Sequence, residues 1–216
     1  MNFTVHDMPQ RSPAWFQARV GLVTGSCAEP IIAVRKDKKT GELARRADLR
    51  RTLVVERLTG LTSEDTFVTY DMQRGLDLEA SAFFAYEVAT GQGVQRCGFV
   101  SHNSIKAGCS PDGYIGNWEG ILELKVPKST THLDYIQGGV IPEIYRAQCL
   151  HALWLTGAQW CDFCSFDPRF PEHLELFRVR LERDETEMAA YELALSLFLH
   201  EVDAAVEALQ PKPVSV

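Results

Sequence analysis

Apolar residues recur along the chain at two different periods, and the places where one gives way to the other mark out its elements. Ser12 before Pro13 is a helix start, an N-cap followed by proline at the first helical position, and the short helix through Trp15, Phe16 and Arg19 should stop near Gly21. A second short helix is expected over 26–34. Over 47–59, Leu49, Leu53, Val54 and Leu58 share one helical face, with Gly60 to end it. Over 74–90, Leu76, Ala80, Phe83, Phe84 and Val88 do the same, with Gly91 as the stop. The period then shortens. Residues 98–101, 105–115 and 121–126 read as three strands separated by turn residues such as His102-Asn103 and Gly116-Asn117. A helix over 142–155, strands over 159–166 and 176–181, and a long last helix from Asp184 to about Leu209 follow. Glu187 would complete a capping box with Asp184. Helices, a strand meander, then helix and strand predict an α/β fold, a central mixed sheet flanked by helices in one domain.

Composition narrows the class. The 216 residues are 45% hydrophobic and 24% charged, enough for a sizeable core. No apolar run approaches the roughly 20 residues of a membrane span, and the first residues lack the pattern of a signal peptide, so a cytoplasmic protein with no membrane partner is expected. Six cysteines (27, 97, 109, 149, 161 and 164) lie in apparent core segments and read as reduced thiols. The net charge of −7 argues against a polyanionic partner, but its distribution argues the other way. Between Arg35 and Arg51 there are eight basic residues, Arg35, Lys36, Lys38, Lys39, Arg45, Arg46, Arg50 and Arg51, against three acidic ones. Such a segment is either a nucleic-acid contact or a solvated hairpin tip and helix face.

The chemistry concentrates in residues 109–127, CSPDGYIGNWEGILELKVP. If residues 114–115 and 121–126 pair across the intervening turn, period-2 alternation sends Glu123 and Lys125 to one face and Leu122 and Leu124 to the other, with Asp112 at the open end of the first strand. Phosphodiester hydrolysis needs this set. Negative charge accumulates around phosphorus, a hard divalent cation held by carboxylates neutralises it, and a lysine beside it can orient a water or accept its proton. Asp112, Glu123 and Lys125 therefore suggest a metal-dependent nuclease, although an acid-x-lysine strand alone is a common surface pattern. An acid on the preceding helix (Glu79) and a glutamine on the following one (Gln148) complete the order of parts in restriction-endonuclease-like nucleases.

Taken together, AWFQARVGLVTGS (14–26), RGLDLEASAFF (74–84), AGCSPDGY (107–114), LELKVP (122–127), YRAQCLHALW (145–154) and FCSFDPR (163–169) resemble the phage lambda-type exonucleases, the YqaJ-type viral recombinases of the PD-(D/E)xK superfamily. The resemblance implies a nuclease core over 74–182, preceded by N-terminal helices over 1–60 with a phosphate pocket and basic segment, and followed by a C-terminal helix over 183–210. It implies that Asp112, Glu123, the backbone carbonyl of Leu124 and Glu79 hold Mg²⁺, two ions per site with Mn²⁺ able to substitute. Lys125 becomes the catalytic lysine and Gln148 a residue that places water or ligands. Arg19, Ser26 and Ser110, with Thr24 nearby, match a 5′-phosphate pocket, and Ser26 at a helix N-terminus would suit an anion. Arg35, Lys36, Lys38, Lys39 and Arg45 would line a DNA channel, and Met72 falls near an apolar wedge. The implied activity is processive 5′-to-3′ digestion of one strand of linear double-stranded DNA by a ring-shaped homotrimer, leaving 3′ overhangs for a single-strand annealing partner.

Two other readings stay open: an endonuclease of the same superfamily, and a DNA-end-binding module without catalysis. Cys161-x-x-Cys164 invites a zinc reading, but without a second pair it reads as a buried strand whose two thiols point to opposite faces. His151, on an apolar helix, is expected to pack in the core, and Trp118 and Trp160 to be structural.

Overall fold

The computed structural model describes residues 2–33, 41–63 and 69–211. The chain runs β1 (Phe3–His6), α1 (Pro13–Arg19), β2 (Val23–Thr24), a 3₁₀ turn (Gly25–Cys27), α2 (Glu29–Ile32), α3 (Ala44–Thr59), α4 (Tyr70–Thr90), β3 (Val94–Gln95) and β4 (Phe99–His102). It continues through β5 (Ala107–Cys109), β6 (Gly113–Ile115), β7 (Gly120–Lys125), α5 (Ser129–Gly138), α6 (Glu143–Thr156), β8 (Trp160–Phe166), α7 (Glu172–Glu175), β9 (Leu176–Glu182) and α8 (Glu185–Ala208).

Caps explain several boundaries. The Ser12 hydroxyl accepts from the Trp15 amide with Pro13 in the first turn, as expected. α3 and α4 end at Gly60 and Gly91, which take the left-handed conformation that lets their amides close the last turn. α4 begins four residues before the expected start because Thr69 caps it, its hydroxyl accepting from Met72 N–H at 3.2 Å. At α8 only half of the capping box forms. Asp184 accepts from Glu187 N–H, but the Glu187 carboxylate is drawn away into a two-point pair with Arg146 at 2.5 and 2.9 Å.

The strands make two mixed sheets, ordered β1-β4-β5-β2 and β3-β6-β7-β8-β9. Pairing is antiparallel except between β2 and β5 and between β7 and β8. The parallel β7–β8 pair requires a crossover, which α5 and α6 provide. The single strand expected over 105–115 is two strands in different sheets. Proline at 111 has no N–H for a ladder, and its carbonyl turns away to accept from Gln10 Nε2 at 3.2 Å. The helix expected over 26–34 is likewise broken into the 3₁₀ turn and one turn of α2.

β7 is buried on both sides. Ile121 joins the larger core with Leu150, Leu153, Phe163, Leu195 and Phe198, while Leu122 and Leu124 pack against Phe83 and Tyr86 of α4 and Phe166 of β8. Cys161 and Cys164 fall in these two opposite clusters, and no described cysteine is bridged. His151 is fully buried between α8 and β5. Trp118 stacks on Tyr114 at 4.1 Å within the core, and Trp160 lies beneath the Arg180 guanidinium.

Candidate active site

The hairpin register pairs Gly113 with Leu122 and goes no further towards Lys125, so the amide of Leu124 has no β6 carbonyl to meet. The Asp112 carboxylate takes that place, accepting from Leu124 N–H at 2.6 Å, while Asp112 N–H donates to the Leu122 carbonyl at 3.1 Å. The break at Pro111 thus aims an acid along β7 as a substitute for a ladder bond. Beside Asp112, Glu123 and Lys125 turn together towards α6. Lys125 Nζ pairs with Glu123 Oε1 and lies 5.1 Å over the Tyr145 ring, and Gln148 bonds to the Glu123 carboxylate.

Electrostatics within this cluster are strong because little water reaches it. Burial pushes the Glu123 carboxyl up to about 7, against the opposing pull of Lys125. Burial also raises Asp112, again opposed by Lys125. Burial would lower Lys125, but the two carboxylates outweigh it and hold the ammonium above its ordinary range. Two acids share one lysine, a donor set short of positive charge. That deficit, together with hard carboxylate oxygens, fits a divalent cation such as Mg²⁺.

The expected phosphate residues lie next to the acids. Arg19 is buried, its guanidinium stacked 3.9 Å over the Trp15 ring and donating to Thr24 Oγ1 at 3.4 Å. Thr24 in turn lies 3.3 Å from Ser26 Oγ, and the Trp15 indole donates to Ser110 Oγ at 2.8 Å. Arg19, Ser26, Ser110, Met72, Asp112, Glu123, Lys125 and Gln148 all line one cavity of about 430 Å³. Thr24 sits behind Arg19, outside the lining. The helix-end argument for Ser26 fails, since Ser26 lies in the 3₁₀ turn and α2 is a single turn starting at Glu29.

Other expected residues lie elsewhere. Glu79 is not in the lining; its Oε1 is 3.2 Å from Arg96 Nη1. Among the described residues no three acidic, cysteine or histidine side chains converge as a metal cage. Arg45 pairs with Glu29 at 2.6 Å, away from the cavity. Arg46 and Arg50 are shared between Glu42 and Glu201, and Arg51 pairs with Asp48, so this half of the basic segment is largely neutralised. Arg35, Lys36, Lys38 and Lys39 lie outside the described residues.

Three lining residues escaped the reading of the sequence. Trp15 supplies both a stacking face for Arg19 and a donor to Ser110. Gln10 ties the Cys97 and Pro111 carbonyls together at 3.3 and 3.2 Å. Arg11 lines the cavity with a left-handed backbone, φ 66°. A polar pair before a helix cap carries no periodic signal, so only the tryptophan, one helical turn from Arg19, was open to recognition.

The chain matches the model of the YqaJ-like viral recombinase domain over residues 14–159. It is similar to an alkaline exonuclease (LHK-Exo) from Laribacter hongkongensis, at 35% identity with a TM-score of 0.80, covering 92% of this chain and 96% of that one. The structure of LHK-Exo in complex with dAMP gives the same identity and coverage with a TM-score of 0.81. A phage-related exonuclease from Haemophilus somnus 129PT is similar in fold, at 17% identity and a TM-score of 0.70 over 88% of this chain and 96% of that one. No curated protein matches. The likeness to the alkaline exonuclease places the two sheets and their helices in the restriction-endonuclease-like fold.

Proposed function

The chain belongs to the YqaJ-like viral recombinase domain family and is an exodeoxyribonuclease, and from that premise we propose that it digests one strand of linear double-stranded DNA from a 5′-phosphorylated end with Mg²⁺, leaving 3′ overhangs. The observation that carries this reading is the single cavity in which Asp112, Glu123, Lys125 and Gln148 face Arg19, Ser26 and Ser110. A hydrolytic set and an anion pocket in one chamber suit a substrate held by its terminal phosphate. The complex of LHK-Exo with dAMP, a deoxynucleoside monophosphate, is in keeping with release of mononucleotides.

Asp112, Glu123, the Leu124 carbonyl and Glu79 would hold the metal, which when bound supplies Lewis-acid stabilisation of the phosphoryl oxygens and an acidified water. Arg19, kept planar on Trp15, presents its fork to the terminal phosphate, with Ser26 and Ser110 as neutral donors. Gln148 fixes the Glu123 carboxylate. Lys125 orients the attacking water and, once the carboxylates are neutralised, can take its proton. Attack at the first internucleotide phosphorus breaks its bond to the 3′ oxygen of the terminal nucleotide, which leaves as a 5′-mononucleotide. The shortened strand again ends in a 5′-phosphate, so each turnover regenerates the group that Arg19 recognises. This cycle, a homotrimer around the DNA, and an annealing partner for the overhang form one coherent activity.

Incubation with Mg²⁺ and either linear or covalently closed plasmid tests the reading. Loss of the linear form as mononucleotides with the closed circle intact is expected. Cutting of the closed circle at a comparable rate would favour an endonuclease, and Mg²⁺-independent end binding without nucleotide release would leave only a binding module.

A further inference from the structure

We propose that Arg96 is a built-in counter-cation that holds Glu79 out of the catalytic cavity and is displaced when a divalent ion takes that acid. The inference rests on the reading of Asp112, Glu123 and Glu79 as one metal site. It accounts for the absence of a three-acid cluster among the described residues, where two acids line the cavity and the third is turned to an arginine.

The placement is specific. Arg96 follows β3, and its guanidinium carbon lies 4.2 Å over the ring of Phe83, which is one helical turn after Glu79 on α4. That shelf brings Arg96 Nη1 to 3.2 Å from Glu79 Oε1. The next residue, Cys97, is tied to the approach to Asp112. Gln10 donates to both the Cys97 and Pro111 carbonyls, and Cys97 Sγ donates to the latter at 3.9 Å. Arg96 is paired with Glu79 and near enough to Asp112 to act on its charge as well. Burial raises the Glu79 carboxyl, Arg96 opposes this, and the nearby charge of Asp112 adds to the rise. Asp112 feels the same arginine. Without a cation, Glu79 and Asp112 would repel one another, and Arg96 relieves that repulsion.

The pair is also weak enough to exchange. Its side chains are 56% and 35% exposed, so water screens the attraction. A divalent ion coordinated by all three acids competes readily with a half-solvated guanidinium. Release leaves Arg96 on its aromatic shelf over Phe83.

Calorimetric titration of Mn²⁺ into the full-length, DNA-free protein tests this without relying on turnover. Arg96→Met removes the charge but keeps an apolar stem over Phe83. It should bind Mn²⁺ about fivefold more tightly than the wild type, the fold-change that corresponds to loss of one half-exposed ion pair. Glu79→Gln should bind more weakly, and Arg96→Met in that background should make no further difference. Unchanged or weaker binding by Arg96→Met overturns the inference, as does an equal gain in the Glu79→Gln background, which would mark a general charge effect. Asp112→Asn separates the two levels. If it abolishes binding while Arg96→Met is neutral, only the role of Arg96 fails; if Asp112→Asn binds like the wild type, the metal site itself is wrong.

Discussion

His151 ties α6 to the strand that leads into Asp112, and its burial sets how the protein responds to acid. It lies on α6 one turn beyond Gln148, fully buried, with Nε2 2.9 Å from the Gly108 carbonyl and Nδ1 2.6 Å from the Tyr191 hydroxyl. A carbonyl can only accept, so Nε2 carries the proton and Nδ1 accepts from Tyr191. Burial pushes this histidine down from 6.5 to about 4, although the Gly108 carbonyl favours the charged form. Between those values the unfolded chain binds a proton that the native protein refuses. The stabilisation is therefore complete above pH 6.5 and is lost as pH falls through the native value. The gap between 6.5 and about 4, at roughly 1.36 kcal/mol per pH unit, amounts to about 3 kcal/mol, most of which is gone by pH 4.5. Urea unfolding of the wild type and His151→Gln between pH 7.5 and 4.5 provides the assay. Glutamine keeps a donor for Gly108 and does not titrate. Other groups, including Glu123, whose raised value acts in the opposite direction over part of this range, are common to both proteins and cancel in the difference. The wild type should lose about 2–3 kcal/mol relative to the variant on going to pH 4.5. A difference that stays constant with pH would refute a buried neutral histidine.

Other outcomes follow from the site and the core. Under the proposed role of Lys125 in proton transfer rather than docking, Lys125→Ala should lower cleavage by about 10²–10⁴-fold with DNA binding and circular dichroism unchanged. Chelation should abolish nucleotide release in the wild type, and Mg²⁺ should restore it. Arg19→Ala should cut the rate preference for 5′-phosphate over 5′-hydroxyl ends by about tenfold, read on paired oligonucleotides, through loss of a charge-assisted donor. In Gly108→Ala the added Cβ would meet Phe99 Cζ at 2.2 Å and the Val100 carbonyl at 2.9 Å, so the urea midpoint should fall by the equivalent of about 1–3 kcal/mol. Light scattering should give the mass of a trimer.

The long elements were legible in the chain because their signals are local. Trp15 to Arg19, the face of α3 with its Gly60 stop, and the hairpin around Glu123 each follow from spacing within a few residues. What escaped depends on partners far away in sequence. β1 is four residues long and pairs with β4 across nearly the whole distance from Phe3 to His102. α5 begins with Ser129-Thr130-Thr131, residues of low helix propensity that here form no side-chain cap, and is anchored by His132, which bonds to Ser165 and to the Leu174 carbonyl. The same holds for charge. The arginines of α3 read as a basic patch until Glu201, on α8, folds back against Arg46 and Arg50. Asp112, Glu123, Lys125 and Gln148 were recoverable because strand alternation and one helix place them together. Glu79 was expected to join the set, but the structure pairs it with Arg96 outside the cavity lining, a placement that depends on β3, two residues with no pattern of their own.

If a 5′-terminal phosphate held by Arg19 sets which strand the Asp112, Glu123 and Lys125 site degrades, digestion must start at the 5′ end. A linear duplex labelled at the 5′ end of one strand and at the 3′ end of the same strand in parallel samples, digested with Mg²⁺ and resolved by length, addresses it directly. Immediate release of the 5′ label as a mononucleotide is expected, with the 3′ label retained on a strand that shortens steadily. Early release of the 3′ label, or internal fragments that carry the 5′ label, would contradict it.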